Sequence, residues 1–344
     1  YVTYRNEYIE SCWWIIKQLW DKGYVYQDYK VTPHCPRCGT SLSDHEVALG
    51  YRDDAEDPSI YIKFKVEGEP AWLESTEVPT YLLAWTTTPW TLPGNAAVAV
   101  ATWAEYSLVE VEREPGKVEH IVLAKARVES AIKDPHRILK TFHGSELVGT
   151  KYQPLYDIVP VRSFGDKEVP VYRVVGAEFV ALNEGTGIVH TAPAYGEVDL
   201  ELGRAEDLPV IHMVDLAGNM TPEPEVSWRG NRLPSVQTAK ELLAPFAGKF
   251  IKAADPLVIR DLQSRGLMYR SERIVHTYPF CWRCETPLVY YAKTSWYIRT
   301  TAKKSSLIAC NELVNWYPDH IKHGRFGDWL QNNVDWALSR ERYW

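Results

Sequence analysis

Cys35-Pro-Arg-Cys38 and Cys281-Trp-Arg-Cys284 are the stretches whose reading decides the topology of this chain. A two-residue gap lets both thiolates of such a knuckle reach one ion at about 2.3 Å, and tetrahedral zinc wants four ligands of this kind. Glycine at position 39 relieves the turn that folds backbone around a metal. One zinc shared by both knuckles makes residues 39 to 280 leave and re-enter at nearly the same point, the geometry of a domain inserted into a two-stranded stalk. Two separate zincs, completed by His34 and His45 or by His276, are the competing arrangement. A disulfide framework is disfavoured in a long chain without a secretion signal, and a redox CxxC would have to occur twice.

Working outward, 344 residues suffice for two or three domains, and 45% hydrophobic with 24% charged residues is ordinary globular composition. No apolar run approaches the roughly 20 residues that cross a bilayer, and the N-terminal stretch is not a signal peptide. No membrane partner and a cytoplasmic location are expected. The chain starts at Tyr1 and stops at Trp344, which suggests an excised piece of something larger. A net charge of −7 argues against a general nucleic-acid coat. A local basic face is still open, since residues 299–344 hold seven Lys/Arg against five Asp/Glu.

Tyr8, Ile9, Cys12, Trp13, Ile16, Leu19 and Trp20 follow helical spacing and Gly23 supplies a stop, so residues 1 to about 23 read as an amphipathic helix. Cys12 and Cys310 read as small core hydrophobes. Short β-branched or aromatic runs follow at Tyr61–Val66, Thr80–Trp85, Ala96–Val100, Ser107–Val111, His120–Leu123, Val171–Val175 and Gly187–Thr191. They predict a β-rich, barrel-like domain. A helix should open near Glu197 with Val198, Leu202 and Ala205 on one face. Met220–Pro234 reads as loop. Two helices then return the chain, the second with Asp255 as N-cap, Pro256 in its first turn and Gly266 at its end. Helices are expected again at Ala302–Trp316 and Phe326–Ser339. The fold class is thus α+β: a barrel-like domain in a two-stranded zinc-knuckle stalk, with flanking helices.

Two stretches carry chemistry. Trp85-Thr-Thr-Thr-Pro-Trp-Thr-Leu-Pro-Gly-Asn95 is a strand broken at Pro89 that presents hydroxyls beside two indoles; hydroxyls both donate and accept without bearing charge. It is equally a threonine-rich strand, since threonine favours sheets. Gly185-Thr-Gly-Ile-Val-His-Thr-Ala-Pro-Ala-Tyr-Gly-Glu-Val-Asp199 has glycines at 185, 187 and 196 that allow close backbone approach. Asp199 falls in the first turn of the expected helix, where helix polarity favours an anion, so it should stay ionised and able to pair with an ammonium. Taken singly, His190 reads better as a core histidine and Asp199 as a helix-terminal carboxylate.

Together these stretches resemble the editing-pocket motifs of isoleucyl-tRNA synthetases. Thr88 and Trp90 point to the isoleucine branch, because the valyl and leucyl relatives carry Thr-Thr-Arg-Pro at the first motif. Tyr8-Ile-Glu-Ser-Cys-Trp-Trp14, the paired knuckles and Trp336-Ala-Leu-Ser-Arg-Glu-Arg-Tyr-Trp344 resemble the same family, so the likeness covers the whole chain. It implies an arm at residues 1–54, an editing domain at 55–275 and a second half-arm with helices at 276–344. The family's His-Ile-Gly-His and Lys-Met-Ser-Lys-Ser motifs are absent, and Lys303-Lys-Ser-Ser306 is only an echo of the latter. ATP and Mg2+ are therefore implied for a full-length parent alone.

One missing methylene discriminates by only about 1–3 kcal/mol, a limit for which isoleucine enzymes are the standing example, and a second hydrolytic site is the remedy. The resemblance implies a deacylase that releases valine from the 3′ end of mischarged tRNA(Ile), in a monomer joined to the rest of a synthetase chain. Asp199 would take the α-ammonium, all the more because Val198 replaces an acidic residue often found in the family. Thr86, Thr87, Thr88 and Thr91 would place the water, with Asn95 assisting. His190 would contact adenosine or amino acid, and Trp85, Trp90, Ala194 and Tyr195 would line the substrate site. Zinc on Cys35, Cys38, Cys281 and Cys284 would be structural, its removal leaving the pocket chemistry largely intact. A non-catalytic zinc module that docks RNA or protein is the rival; a folded but inactive piece is a third possibility.

Overall fold

The computed structural model describes residues 2–73, 77–159, 162–234 and 236–339. It divides into two compact units: residues 1–30 with 293–344, and residues 31–292. No helix among the described residues is long and apolar enough to cross a membrane.

The larger unit is mixed α/β, built on a nine-stranded sheet that branches at the strand Thr80–Thr86. One edge of that strand pairs antiparallel with Tyr51–Lys65. Its other edge is divided: residues 80–82 run parallel to Lys117–Ala124, and Trp85 lies opposite Val189 of the strand Ile188–Thr191. The split leaves the pairings as an open half-barrel among the described residues, where a barrel was expected. It also brings the threonine turn that follows Thr86 beside His190. The chain enters this sheet along Tyr51–Lys65 and leaves along Met268–Pro279, and these two strands are antiparallel neighbours from Ile62↔Met268 to Tyr51↔Pro279.

Every strand expected from β-branched runs is present, several longer than their sequence signal; Tyr61–Val66, for example, is the end of a 15-residue strand. The largest correction is Met220–Pro234. It is not loop: Met220–Trp228 pairs with Val210–Val214 and with Asn231–Arg232. Pro222 and Pro224 misled because proline cannot donate to a ladder. Here they sit in the irregularity between Glu225 and Met220, where the pairing skips and no donor is required.

The helices need corrections too. Ile251–Ser264 starts ahead of Asp255, with Phe250 as its N-cap, so Asp255 and Pro256 lie inside it. Asp255 instead caps a different segment, accepting the Trp90 N–H at 2.9 Å. Glu197–Ala205 forms as expected, but buries Leu200, Leu202 and Gly203 and leaves Val198 and Ala205 exposed.

In the smaller unit, Asn6–Asp21 is a helix closed by a left-handed Gly23, with Gly23 N–H on Trp20 O and Tyr24 N–H on Leu19 O. None of its residues is buried, and Trp13 and Trp20 stand exposed. Cys12 is only half-buried and Cys310 exposed, so neither is a core residue. The last helices are shorter than expected, Lys304–Glu312 and Arg325–Gln331, and Trp336–Ala337 is a strand pairing with Tyr297 and Ile298. Residues 340–344 of the C-terminal motif lie outside the described residues.

A buried ion pair ties two strands of the sheet region: Lys63 Nζ meets Glu119 at 2.6 Å, with side chains 5% and 14% exposed. Removing one partner strands the other charge in low dielectric, a loss of about 3–5 kcal/mol. Glu119→Ala should lower unfolding free energy by about 3 kcal/mol in urea titration, whereas Glu114→Ala, which breaks the exposed pair with Lys117, should leave the unfolding midpoint essentially unmoved.

Candidate functional site

A cavity of about 340 Å³ opens where the threonine turn, the glycine loop and the N-terminus of Glu197–Ala205 meet. Thr86, Thr87, Thr88 and Thr91 line it together with His190, Tyr195, Asp199, Trp85 and Ala192. Residues more than a hundred positions apart thus share one concavity, at the small end of the usual ligand-pocket range.

The threonines converge because the strand ends at Thr86 and a 3-10 turn, Pro89–Gly94, follows at once. Proline at its first position presets φ and lacks only a donor that the turn leaves unused. Across the cavity the chain passes through two left-handed glycines. Gly185 has φ +59°, and a Cβ there would meet the Trp85 indole at 2.8 Å; Gly187 has φ +73°, and its Cβ would meet Ala124 Cβ at 2.4 Å. Side chains at either position would push the loop off the sheet.

Hydrogen bonds assign a state to His190. Asn95 Nδ2 lies 2.8 Å from His190 Nδ1 and donates to Ala97 O, while its Oδ1 accepts from the Tyr152 hydroxyl at 2.6 Å. With the amide so oriented, Nδ1 can only accept, and the ring proton sits on Nε2, 3.1 Å from Thr91 Oγ1. Burial depresses the His190 pKa to about 3, so the ring is a neutral donor at physiological pH.

The same accounting directs the hydroxyls. Thr91 Oγ1 donates to Thr88 O at 2.8 Å, which uses its proton. Thr88 Oγ1, 3.2 Å away, must then donate to Thr91, and Thr86 Oγ1 to Thr88 in turn. Thr86 Oγ1 also accepts the Thr88 N–H. Thr87 alone of the four has no hydrogen-bond partner for its hydroxyl among the described residues, and it is half-buried in the cavity wall.

Asp199 is the cavity's half-buried carboxylate. Its Oδ2 accepts the Ala192 N–H at 2.9 Å, and no cation pairs with it among the described residues. Burial pushes its pKa up to about 6, and the Ala192 N–H pulls back only in part. Helix polarity alone predicts the opposite direction; desolvation outweighs it here. At pH 7 the group is still mainly ionised.

Three residues expected at the cavity stand behind it. Asn95 (3% exposed) acts on His190, and Trp90 (3% exposed) packs edge-on against Tyr195 at 4.9 Å. Ala194 is buried, its carbonyl accepting the Ala292 N–H. Tyr195 shows its ring to the cavity while its hydroxyl accepts the Met213 and Val214 N–H groups. Phe179, Ala181 and Glu184 line the cavity without having been expected. Glu184 could have been found by extending the glycine motif one residue; Phe179 and Ala181 carry no such signal. Arg127, also unforeseen, holds the loop by donating to Gly185 O and Asn183 O.

The four knuckle cysteines lie together, their Sγ atoms within 4.8 Å of one another. Cys35 and Cys284 are 3.4 Å apart, Cys38 and Cys284 3.6 Å, Cys38 and Cys281 4.0 Å. Such spacings are too long for S–S bonds and close to the edge of a tetrahedron with about 2.3 Å metal–sulfur bonds. The donor set fits one shared zinc. His34 and His276 turn elsewhere, to Leu216 O and to Asp57.

The profile of the tRNA synthetases class I (I, L, M and V) matches residues 1–344. The isoleucine–tRNA ligase of Dehalococcoides mccartyi (strain CBDB1) is 50% identical over 362 residues, covering all of this chain and 33% of that protein. That of Thermus thermophilus is 43% identical over 344 residues, covering all of this chain and 29% of that protein. The chain spans about a third of the length of these curated relatives. The crystal structure of the P. knowlesi cytosolic leucyl-tRNA synthetase editing domain aligns at TM-score 0.40 and 15% identity, over 64% of this chain and 98% of that one.

Nitrogen NMR should show His190 neutral and protonated on Nε2 down to pH 5. Its folded pKa lies below the ordinary imidazole value, so its contribution to stability is complete above about pH 6.5 and lost as pH falls towards 3. A charged ring at pH 6 would contradict the assignment.

Proposed function

The chain belongs to the class I tRNA synthetases (I, L, M and V), and from that membership we propose that its cavity hydrolyses the ester of a mischarged tRNA, releasing valine from the 3′ end of tRNA(Ile). The observation that carries this reading is the pairing of a cation-free carboxylate, Asp199, with an uncommitted hydroxyl, Thr87, in one small cavity.

An aminoacyl ester presents an α-ammonium two bonds from its carbonyl carbon. Asp199 suits the ammonium: an unpaired carboxylate in a desolvated site gains more from a cation than an exposed one does. With the ammonium held there, the carbonyl faces the threonine turn. Thr87 can accept from a water and steer its lone pair at the carbonyl carbon. Attack forms the new C–O bond, and collapse breaks the ester bond; one water proton ends on the terminal ribose hydroxyl and the other passes to solvent, leaving the amino acid as carboxylate. The ester is already activated, so orientation supplies much of the acceleration and no covalent intermediate is invoked.

Neutral His190 holds Thr91, and through it the hydroxyl row, without repelling the ammonium. The walls left for a side chain are apolar, Ile188, Val189 and the Tyr195 ring among them. They accept a small branched group, and size is the proposed ground for excluding isoleucine. Zinc on the four thiolates has its coordination filled and serves structure, as such closed sites do. Use of ATP and Mg2+, and ligation itself, are proposed only for a longer parent.

Valyl-tRNA(Ile) incubated with high enzyme concentration should lose its valine while isoleucyl-tRNA(Ile) persists. Asp199→Ala should reduce the rate at least a hundredfold, an amount of about 2.7 kcal/mol expected for loss of a charge-assisted anchor. After subtraction of spontaneous hydrolysis, the native rate should fall as pH drops through about 6, where Asp199 takes up its proton. Retained activity in Asp199→Ala would refute the assignment.

A further inference from the structure

The strand Val210–Val214 and the turn after it touch both the cysteine cluster and the cavity. At the cluster end, His34, next to ligand Cys35, places Nε2 2.8 Å from Leu216 O. Pro36, inside the first knuckle, packs on Gly218 so closely that a Cβ there would lie 3.1 Å from its own. Gly218 N–H and Asp215 O close the turn at 2.9 Å. At the cavity end, the Tyr195 hydroxyl accepts the N–H groups of Met213 and Val214 at 2.7 and 3.1 Å. Met213 also lies against Gly94, with its methyl 3.0 Å from where a Cβ would be, so the strand backs the threonine turn as well. Tyr291 pins the middle by donating to Val214 O at 2.8 Å.

We propose that His34 is a positioning residue for the cavity: the metal-loaded knuckle sets the height of the strand Val210–Val214 through His34 and Pro36, and that strand sets Tyr195 and the threonine turn. The contacts form one continuous series of packed groups and short hydrogen bonds. A Tyr195 hydroxyl that accepts two adjacent amides is sensitive to small displacements, because both bonds must be kept together. This departs from the expectation that zinc loss would leave pocket chemistry intact. Its activity arm rests on the proposed deacylation, whereas its structural arm does not.

Amide hydrogen exchange at Met213 and Val214 reads the strand directly, with zinc content measured alongside. In zinc-loaded His34→Ala those two amides should exchange about tenfold faster, the equivalent of one hydrogen bond of about 1.4 kcal/mol. His34→Gln, which keeps a donor for Leu216 O, should restore most of the protection. Chelation of the native protein should speed the same amides, and this arm decides the matter if His34→Ala does not fold. Tyr195→Phe should free both amides with zinc retained. In valine release, His34→Ala should lower kcat at least fivefold with KM nearly unchanged, and His34→Gln should recover it. Native exchange rates in either His34→Ala or chelated protein overturn the proposal. Faster exchange without any valine release in the native protein overturns the deacylase reading and leaves the link standing.

Discussion

Four cysteine sulfurs that lie within 4.8 Å of one another constrain how the larger unit can be built. Between Cys38 and Cys281 lie 242 residues, and the excursion has to end where it began. The strands Tyr51–Lys65 and Met268–Pro279 satisfy that demand by running side by side as antiparallel neighbours. The outgoing strand then pairs with Thr80–Thr86, which branches the sheet and sets the threonine turn beside the glycine loop. The position of the cavity is thus a consequence of closing a long chain on itself. Closing so long a loop in the unfolded chain opposes folding by an entropy that grows slowly with length, and a metal bridge returns that term to the folded state.

Patterns that act locally were legible in the sequence. CxxC spacing is a statement about reach, and it brought four sulfurs within 4.8 Å. Alternating β-branched runs gave the main sheet, because a pleated surface selects those side chains whatever they pack against. The two motifs named the cavity's Thr86, Thr87, Thr88, Thr91, His190 and Asp199, and the structure brings these together.

Other features depend on partners distant in sequence. Asp255-Pro256 has the form of a helix start, yet the carboxylate is occupied by Trp90 N–H from another segment, and the helix opens earlier. Pro222 and Pro224 break a strand pattern on paper but fall where the ladder skips. Asn95 and Trp90 carry polar atoms inside a suggestive motif, though a side chain's neighbourhood decides whether those atoms meet the cavity or the core. Asp199 shows the same limit in energy. Its place in a helix's first turn predicts a lowered pKa, and only the three-dimensional burial of the carboxylate reverses the sign.

Charge favours the proposed reading of this cavity as a site for the aminoacyl end of an RNA and not for its backbone. Asp199 and Glu184 are its acidic groups, and among the described residues neither lysine nor arginine lines it. A phosphate brought to such walls meets repulsion, while an ammonium meets attraction strengthened by partial desolvation. His190 keeps that contrast because burial holds it neutral; a protonated ring facing Asp199 would compete for the carboxylate. The tautomer in turn depends on Asn95 and Tyr152, which leave Nδ1 an acceptor and aim the remaining proton at Thr91. Two buried residues that do not line the cavity therefore fix the ring that holds the hydroxyl row of the proposed site.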